Sequence, residues 1–175
     1  MLNLILILAV IAAIIFIIVA AMQPAAFRIT RTGTITAPPS VVFAQVNNLQ
    51  KWAAWSPWAK LDPEAKNSFE GPTSGVGAIM RWSGNNKVGQ GSMTIMESRP
   101  DEFISFKLEF LKPFAATNTS EFTFNSENNQ TNVTWSMYGK NNFMSKAVGL
   151  IMNCDKMVGG QFESGLAALK AVVEA

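Results

Sequence analysis

At 175 residues the chain has room for one domain once any targeting segment is set aside. Its 14 basic and 12 acidic side chains nearly cancel, and no run of like charge marks a nucleic-acid binder, so nucleic acid is not an expected partner. A single cysteine, Cys154, excludes an intrachain disulfide framework, and the lack of any histidine removes the usual zinc and Cys-His nucleophile arrangements. Acid-base work near neutral pH would fall to a perturbed carboxylate, lysine, tyrosine or water.

The chain opens with LILILAVIAAIIFIIVAAM, Leu4 to Met22, an apolar run without a polar break. As a helix rising about 1.5 Å per residue it nearly matches a hydrocarbon core of roughly 30 Å, which predicts a membrane span. The rival is a cleaved signal peptide, with Val19-Ala20-Ala21 offering small residues at a cleavage site; against it stand a missing basic n-region and an overlong apolar stretch. Arg28 and Arg31 follow the span closely, so the positive-inside bias places the large domain in the cytoplasm. The expected division is an anchor over 1–23, a linker over 24–26 and a folded domain over 27–175.

After the Gln23-Pro24 break, Phe27 to Ala37 alternates as a strand. Pro38-Pro39-Ser40 then opens a short helix with Val41, Val42, Ala44, Val46 and Leu49 as its apolar stripe, followed by a turn or two carrying Trp52 and Trp55. From Lys66 to Gly139 the text becomes short β-like runs, giving five or six consecutive antiparallel strands. GAIMRWSG and VGQGSMTIMES flank a hairpin signal at Gly84-Asn85-Asn86. In EFISFKLEF, Ile104, Phe106, Leu108 and Phe110 alternate with Phe103, Ser105, Lys107 and Glu109, so one face is buried and the other wet. The same logic turns Val133, Trp135 and Met137 inward and puts Phe122 and Phe124 together. One long helix is expected from about Asn142 to Val173, with Val158, Phe162, Leu166, Leu169 and Val173 on one face. Gly159, Gly160 and Gly165 each cost it about 1 kcal/mol against alanine, which close packing or a ligand against the helix would explain.

That order of elements, an α+β helix-grip arrangement in which a curved antiparallel sheet wraps the last helix, is joined by more specific text. APPSVVF (Ala37–Phe43), LQKWAAWSPW (Leu49–Trp58) with Asp62-Pro63, Gly75-x-Gly77, WSG (Trp82–Gly84), GQG (Gly89–Gly91), VTW (Val133–Trp135) and FESGLAALK (Phe162–Lys170) occur in order. Together they resemble the polyketide cyclase/dehydrase branch of the START-related, birch-pollen-allergen-like superfamily, over about Phe27 to Val173. The amino-terminal span lies outside the core family pattern and implies a membrane-tethered member.

The resemblance implies an apolar cavity between the sheet and the last helix. Its expected lining is Met80, Trp82, Met93, Ile95, Phe106, Phe110, Trp135, Met137, Phe162 and Leu166, with Trp58 closing one end. Each of these residue types serves an ordinary core equally well. The three tryptophans of KWAAWSPWAK have competing accounts as membrane anchors, core or pocket wall; Trp52 and Trp55 at i and i+3 fit core. Arg81, Glu97, Glu109, Tyr138 and Asp155 are the polar candidates for chemistry, and they form no recognisable constellation; solvated outer-face charge is the simpler reading. The two GxG pairs lack a phosphate-loop pattern and read as hairpin turns and bends. No metal or organic cofactor is indicated. Three functions follow as expectations: a membrane-tethered binder of a hydrophobic or lipid-like small molecule, held to the bilayer through residues 4–22; a cyclase/aromatase-type enzyme; or a tethered protein-interaction or chaperone-assisting module. The binder requires a cavity, the enzyme a polar group within it, and the interaction module a filled core with an exposed apolar patch.

Overall fold

The computed structural model describes residues 1–175, the side chain of Leu2 excepted. Helix α1 (Leu2–Met22) stands apart from the rest: among its described side chains only Ala20 is buried. A core helix would be covered on most sides. This one is long and apolar enough to cross a membrane and shows its apolar surface all round.

Seven strands follow, β1 (Ala26–Ile35), β2 (Lys66–Glu70), β3 (Ile79–Ser83), β4 (Gln90–Arg99), β5 (Phe103–Lys112), β6 (Ala116–Glu127) and β7 (Gln130–Lys140). They form one antiparallel sheet in the order β1-β7-β6-β5-β4-β3-β2. Strict alternation sets its faces. Ile104, Phe106, Phe122, Phe124, Val133 and Trp135 are buried on the concave side, while Lys107 and Glu109 pair on the convex side at 2.7 Å. Register shifts between Ile95 and Glu97 leave Met96 exposed on β4; such a bulge increases local twist and bend. At the tightest hairpin Asn128 and Asn129 both adopt positive φ, which asparagine tolerates better than most residues.

Between β1 and β2 run α2 (Pro39–Val46), a 3-10 turn (Leu49–Ala54) and α3 (Pro57–Leu61). Proline opens both helices, where its missing N–H costs nothing. The buried face of α2 is Val42, Phe43 and Val46; Val41 and Ala44 point outward, and Leu49 belongs to the next turn. Eight residues make little more than two turns, so the face that meets the sheet is set by local packing rather than by a long stripe. Asp62 explains the Asp-Pro step beyond α3. Its buried carboxylate accepts the backbone N–H of Asn85 at 2.6 Å and of Glu64 at 3.2 Å, tying α3 to the β3–β4 turn.

The carboxy-terminal region is two helices rather than one, α4 (Phe143–Ile151) and α5 (Cys154–Val173). The break falls at Met152-Asn153, where the Asn153 side chain accepts the N–H of Lys156 at 2.9 Å and starts a new helix. From α5, Phe162, Leu166 and Leu169 are buried against the sheet. Two of its glycines are explained by close approach: a Cβ on Gly165 would lie 2.8 Å from the Trp135 ring, and one on Gly159 would collide with the Arg31 guanidinium. Gly160 faces open space, and no packing accounts for it.

Candidate functional site

The concave side is not filled from end to end. Beneath β2 to β5, α3 and the first half of α5 lies a cavity of about 230 Å³, partly open to solvent. Its floor is aromatic. Trp135 stacks on Phe162 with centroids 4.1 Å apart, and Trp58 stands edge-on to both at 5.8 and 6.3 Å. Its walls are Met80, Trp82, Met93, Leu108 and Phe110 from the sheet, with Met137 and Val158. The aromatic rings take the edge-to-face and stacked arrangements their quadrupoles favour, while methionine is flexible and polarizable enough to fit an irregular apolar space.

Three polar side chains reach this space, Ser56, Asn67 and Ser120. Ser120 is already committed: its hydroxyl accepts the Trp135 indole N–H at 3.0 Å and donates to the Ser136 carbonyl at 3.1 Å. Ser56 and Asn67 remain as groups that a polar tip on an otherwise apolar ligand can meet. Among the described residues, no titratable side chain lines the cavity.

Of the expected lining, Trp58, Met80, Trp82, Met93, Phe110, Trp135, Met137 and Phe162 surround the cavity. Ile95, Phe106 and Leu166 do not. They are buried in the closed core, Phe106 edge-on beneath Trp52 at 5.5 Å and Leu166 against Gly33. Alternation assigns a residue to the concave face but says nothing of how far along the strand the empty space extends. Leu108 and Val158 join the lining from apolar stripes already visible in the sequence, whereas Ser56, Asn67 and Ser120 carried no sequence signal.

The tryptophan cluster divides by depth. Trp52 and Trp55 are core, centroids 4.5 Å apart; the Trp52 N–H donates to the Val46 carbonyl at 2.9 Å. Trp52 also touches the cavity, and Trp58 forms its wall. The Trp55 N–H is buried without an acceptor among the described residues.

The polar candidates lie elsewhere, in pairs. Arg81 binds Glu70 at 2.8 Å, and that hydrogen bond holds the Glu70 carboxyl below its ordinary range. Lys107 does the same to Glu109, and Glu97 pairs with Arg99 at 2.8 Å. Tyr138 donates to Glu121 at 2.6 Å, and this bond, with some burial, pushes its hydroxyl pKa up. Asp155 and Glu163 both grip Arg31, at 3.1 and 2.6 Å, fastening α5 to β1. None lines the cavity. Among the described residues, no three His, Cys, Asp or Glu side chains gather as metal ligands would. Gly75, Gly77 and Gly89 have positive φ, as turns require, and Gly91 lets the Trp82 ring approach β4 where a Cβ would collide with it.

A curved antiparallel sheet gripping its last helix around an apolar space defines the START-like, helix-grip class. The chain belongs to the polyketide cyclase/dehydrase and lipid-transport family, whose model matches residues 26–174. Solved structures agree on the fold. The protein CV1439 from Chromobacterium violaceum is 16% identical, with a TM-score of 0.61 over 87% of this chain and 99% of its own. The di-domain aromatase/cyclase BexL from the BE-7585A biosynthetic pathway is 17% identical, with a TM-score of 0.62 over 90% of this chain and 53% of its own. Ara h 8.0201 is 10% identical, with a TM-score of 0.55 over 85% of this chain and 98% of its own. No curated protein matches the sequence significantly.

Proposed function

We propose that the chain is a membrane-tethered START-like domain that encloses a hydrophobic or lipid-like small molecule in the cavity between sheet and α5. The cavity itself carries this reading. At about 230 Å³ it lies just under the roughly 300–1,000 Å³ of common ligand pockets. It therefore suits one ring system or a length of single acyl chain rather than a whole two-chain lipid. Each methylene moved there from water contributes about 0.8 kcal/mol, and Ser56 or Asn67 would orient a polar end. Residues 1–23 serve as the anchor, 24–26 as the linker and 27–175 as the binding domain, on the cytoplasmic side by the bias of Arg28 and Arg31.

The cyclase reading draws support from the fold of BexL, but here proton movement would rest on Ser56, Asn67 or enclosed water. That favours binding over catalysis. The interaction-module reading called for a filled core with an exposed apolar patch; exposed apolar side chains are present, but the cavity speaks against a filled core. The deciding experiment is native mass spectrometry of residues 27–175 exposed to membrane extracts. A bound apolar molecule, displaced by a fluorescent fatty-acid analogue with a change in Trp58 emission, is the expected result. A domain that remains empty and takes up no apolar probe rejects the reading.

A further inference from the structure

We propose that the end of the sheet from which α1 emerges docks flat on the anionic surface of the same bilayer that α1 crosses, so that the cavity rim opens toward lipid. This rests on α1 being a span, as read above.

The connection is short. Only Gln23, Pro24 and Ala25 separate α1 from β1, and three residues reach at most about 11 Å. The junction is also tied down. Asn141 donates its backbone N–H to the Ala25 carbonyl at 2.9 Å and its side-chain amide to the Pro24 carbonyl at 3.1 Å, while Lys146 reaches the Ala21 carbonyl at 3.2 Å. Helix α4 therefore packs beside the last turn of α1. The registers carry the argument across the sheet. Ala26 pairs with Lys140, Asn118 with Gly139, Phe110 with Ala116 and Gln90 with Lys112, so the β5–β6 turn lies at this same end.

What this end exposes is unusual for a face in water. Leu111 at the end of β5 and Phe114 on the β5–β6 turn are 66% and 57% exposed, Ile151 at the end of α4 is 78% exposed, and Phe143 opens α4 in the same condition. No residue of α4 is buried, although its apolar side chains segregate to one side. That is the pattern of a helix lying in a headgroup layer. The charge matches. Lys112 and Lys140 are exposed at the strand ends that carry these apolar tips, and from Gly139 to Cys154 there is no carboxylate, the next one, Asp155, being paired with Arg31. The opposite end of the sheet instead turns through Asp101-Glu102 and Glu127-Asn128-Asn129. Finally, four of the partly exposed residues of the cavity lining, Trp82, Val88, Phe110 and Val158, belong to the strand ends, turn and helix start on the α1 side, while Trp58 and Met80 border the space from α3 and β3.

The test uses the full chain with Cys154→Ser, reconstituted in nanodiscs of phosphatidylcholine with phosphatidylglycerol. Single nitroxide labels are placed by Ala12→Cys, Leu111→Cys, Ile151→Cys and Asn128→Cys, and their relaxation by oxygen and by a water-soluble nickel chelate is compared. Labels at 12, 111 and 151 should favour oxygen, and the label at 128 should favour nickel. Phe114→Glu should move the label at 151 toward water without changing the one at 12. Labels at 111 and 151 as wet as that at 128, with 12 dry, overturn the docking while leaving the span intact. A wet label at 12 overturns the span and the docking with it. Dipolar broadening between labels at 111 on separate chains would show a second copy covering this face, and also overturns the proposal.

Discussion

At the end of the concave face remote from α1, Phe43 meets Phe124 edge-on at 5.6 Å, and Ile104, Val133 and Leu169 are wholly buried among them. At the α1 end, Trp82 and Phe110 meet at almost the same distance, 5.8 Å, yet they border empty space. The two halves share residue types, strands and alternation. They differ in their cover. Over the closed half lie both turns of α2 and the second half of α5; over the open half lies α3, five residues long, and the start of α5. A cavity arises here because the lid is short, not because its lining is special. The same aromatic side chain should thus be worth a great deal to stability in one half and much less in the other.

The largest effects should expose that division. Phe122 is fully buried, stacked on Trp135 at 4.7 Å and edge-on to Trp52, Trp55 and Phe106. Phe122→Ala should cost about 3–5 kcal/mol in denaturant unfolding of residues 27–175. Phe110→Ala, on the cavity wall, should cost under about 1.5 kcal/mol, since truncation there enlarges a space already present. Equal losses would mean that the two halves are energetically one core. Filling the cavity is the converse. Met80→Trp should leave unfolding nearly unchanged but weaken uptake of a fluorescent fatty-acid analogue at least tenfold, about 1.4 kcal/mol. Unaltered uptake would place binding outside this cavity.

The boundary between the halves was harder to read from sequence than either half. Strand faces were legible because a period of two admits only two answers, and Ile104 to Phe110 and Val133 to Met137 chose plainly. The extent of the cavity was not, because it depends on where α2 stops and α3 starts above the sheet. Hence Ile95, Phe106 and Leu166 sit in solid core while Val158 and Leu108 reach the space. The break at Asn153 was not legible because the apolar stripe that marks the helix begins only at Val158, and the cap needs only one side chain to start a new helix. Ser120 was invisible for another reason: a serine between strand residues shows its partners only once Trp135 lies across from it.

Trp52 and Trp55 sharpen the boundary with a smaller effect. Their rings are buried almost alike, but only Trp52 has an acceptor for its N–H. Trp52→Phe leaves the Val46 carbonyl without that donor, whereas Trp55→Phe removes a donor that has no partner among the described residues. The first substitution should therefore cost about 1 kcal/mol more than the second in the same unfolding experiment. The reverse order would show that volume alone governs this part of the core.

The smallest effect tests whether the open half stays rigid when occupied. Tyr138, the only tyrosine in the chain, follows Met137 on β7 and so sits on the convex side, directly behind the cavity. Its hydroxyl donates to Glu121, with Arg28 over its ring at 4.8 Å, and the Glu121 bond raises its pKa above the ordinary value of about 10. A raised value in the folded state favours the neutral phenol. Its contribution to stability is therefore complete below the unfolded value and is lost as pH rises through the folded one. Tyrosinate absorbance should accordingly show a midpoint above 10 that falls in Glu121→Gln. If ligand fills a preformed space, the same titration with a fatty-acid analogue bound should superimpose on the free curve. A shifted midpoint would mean that β7 moves on binding, and that the short lid over the open half is matched by a sheet that yields beneath it.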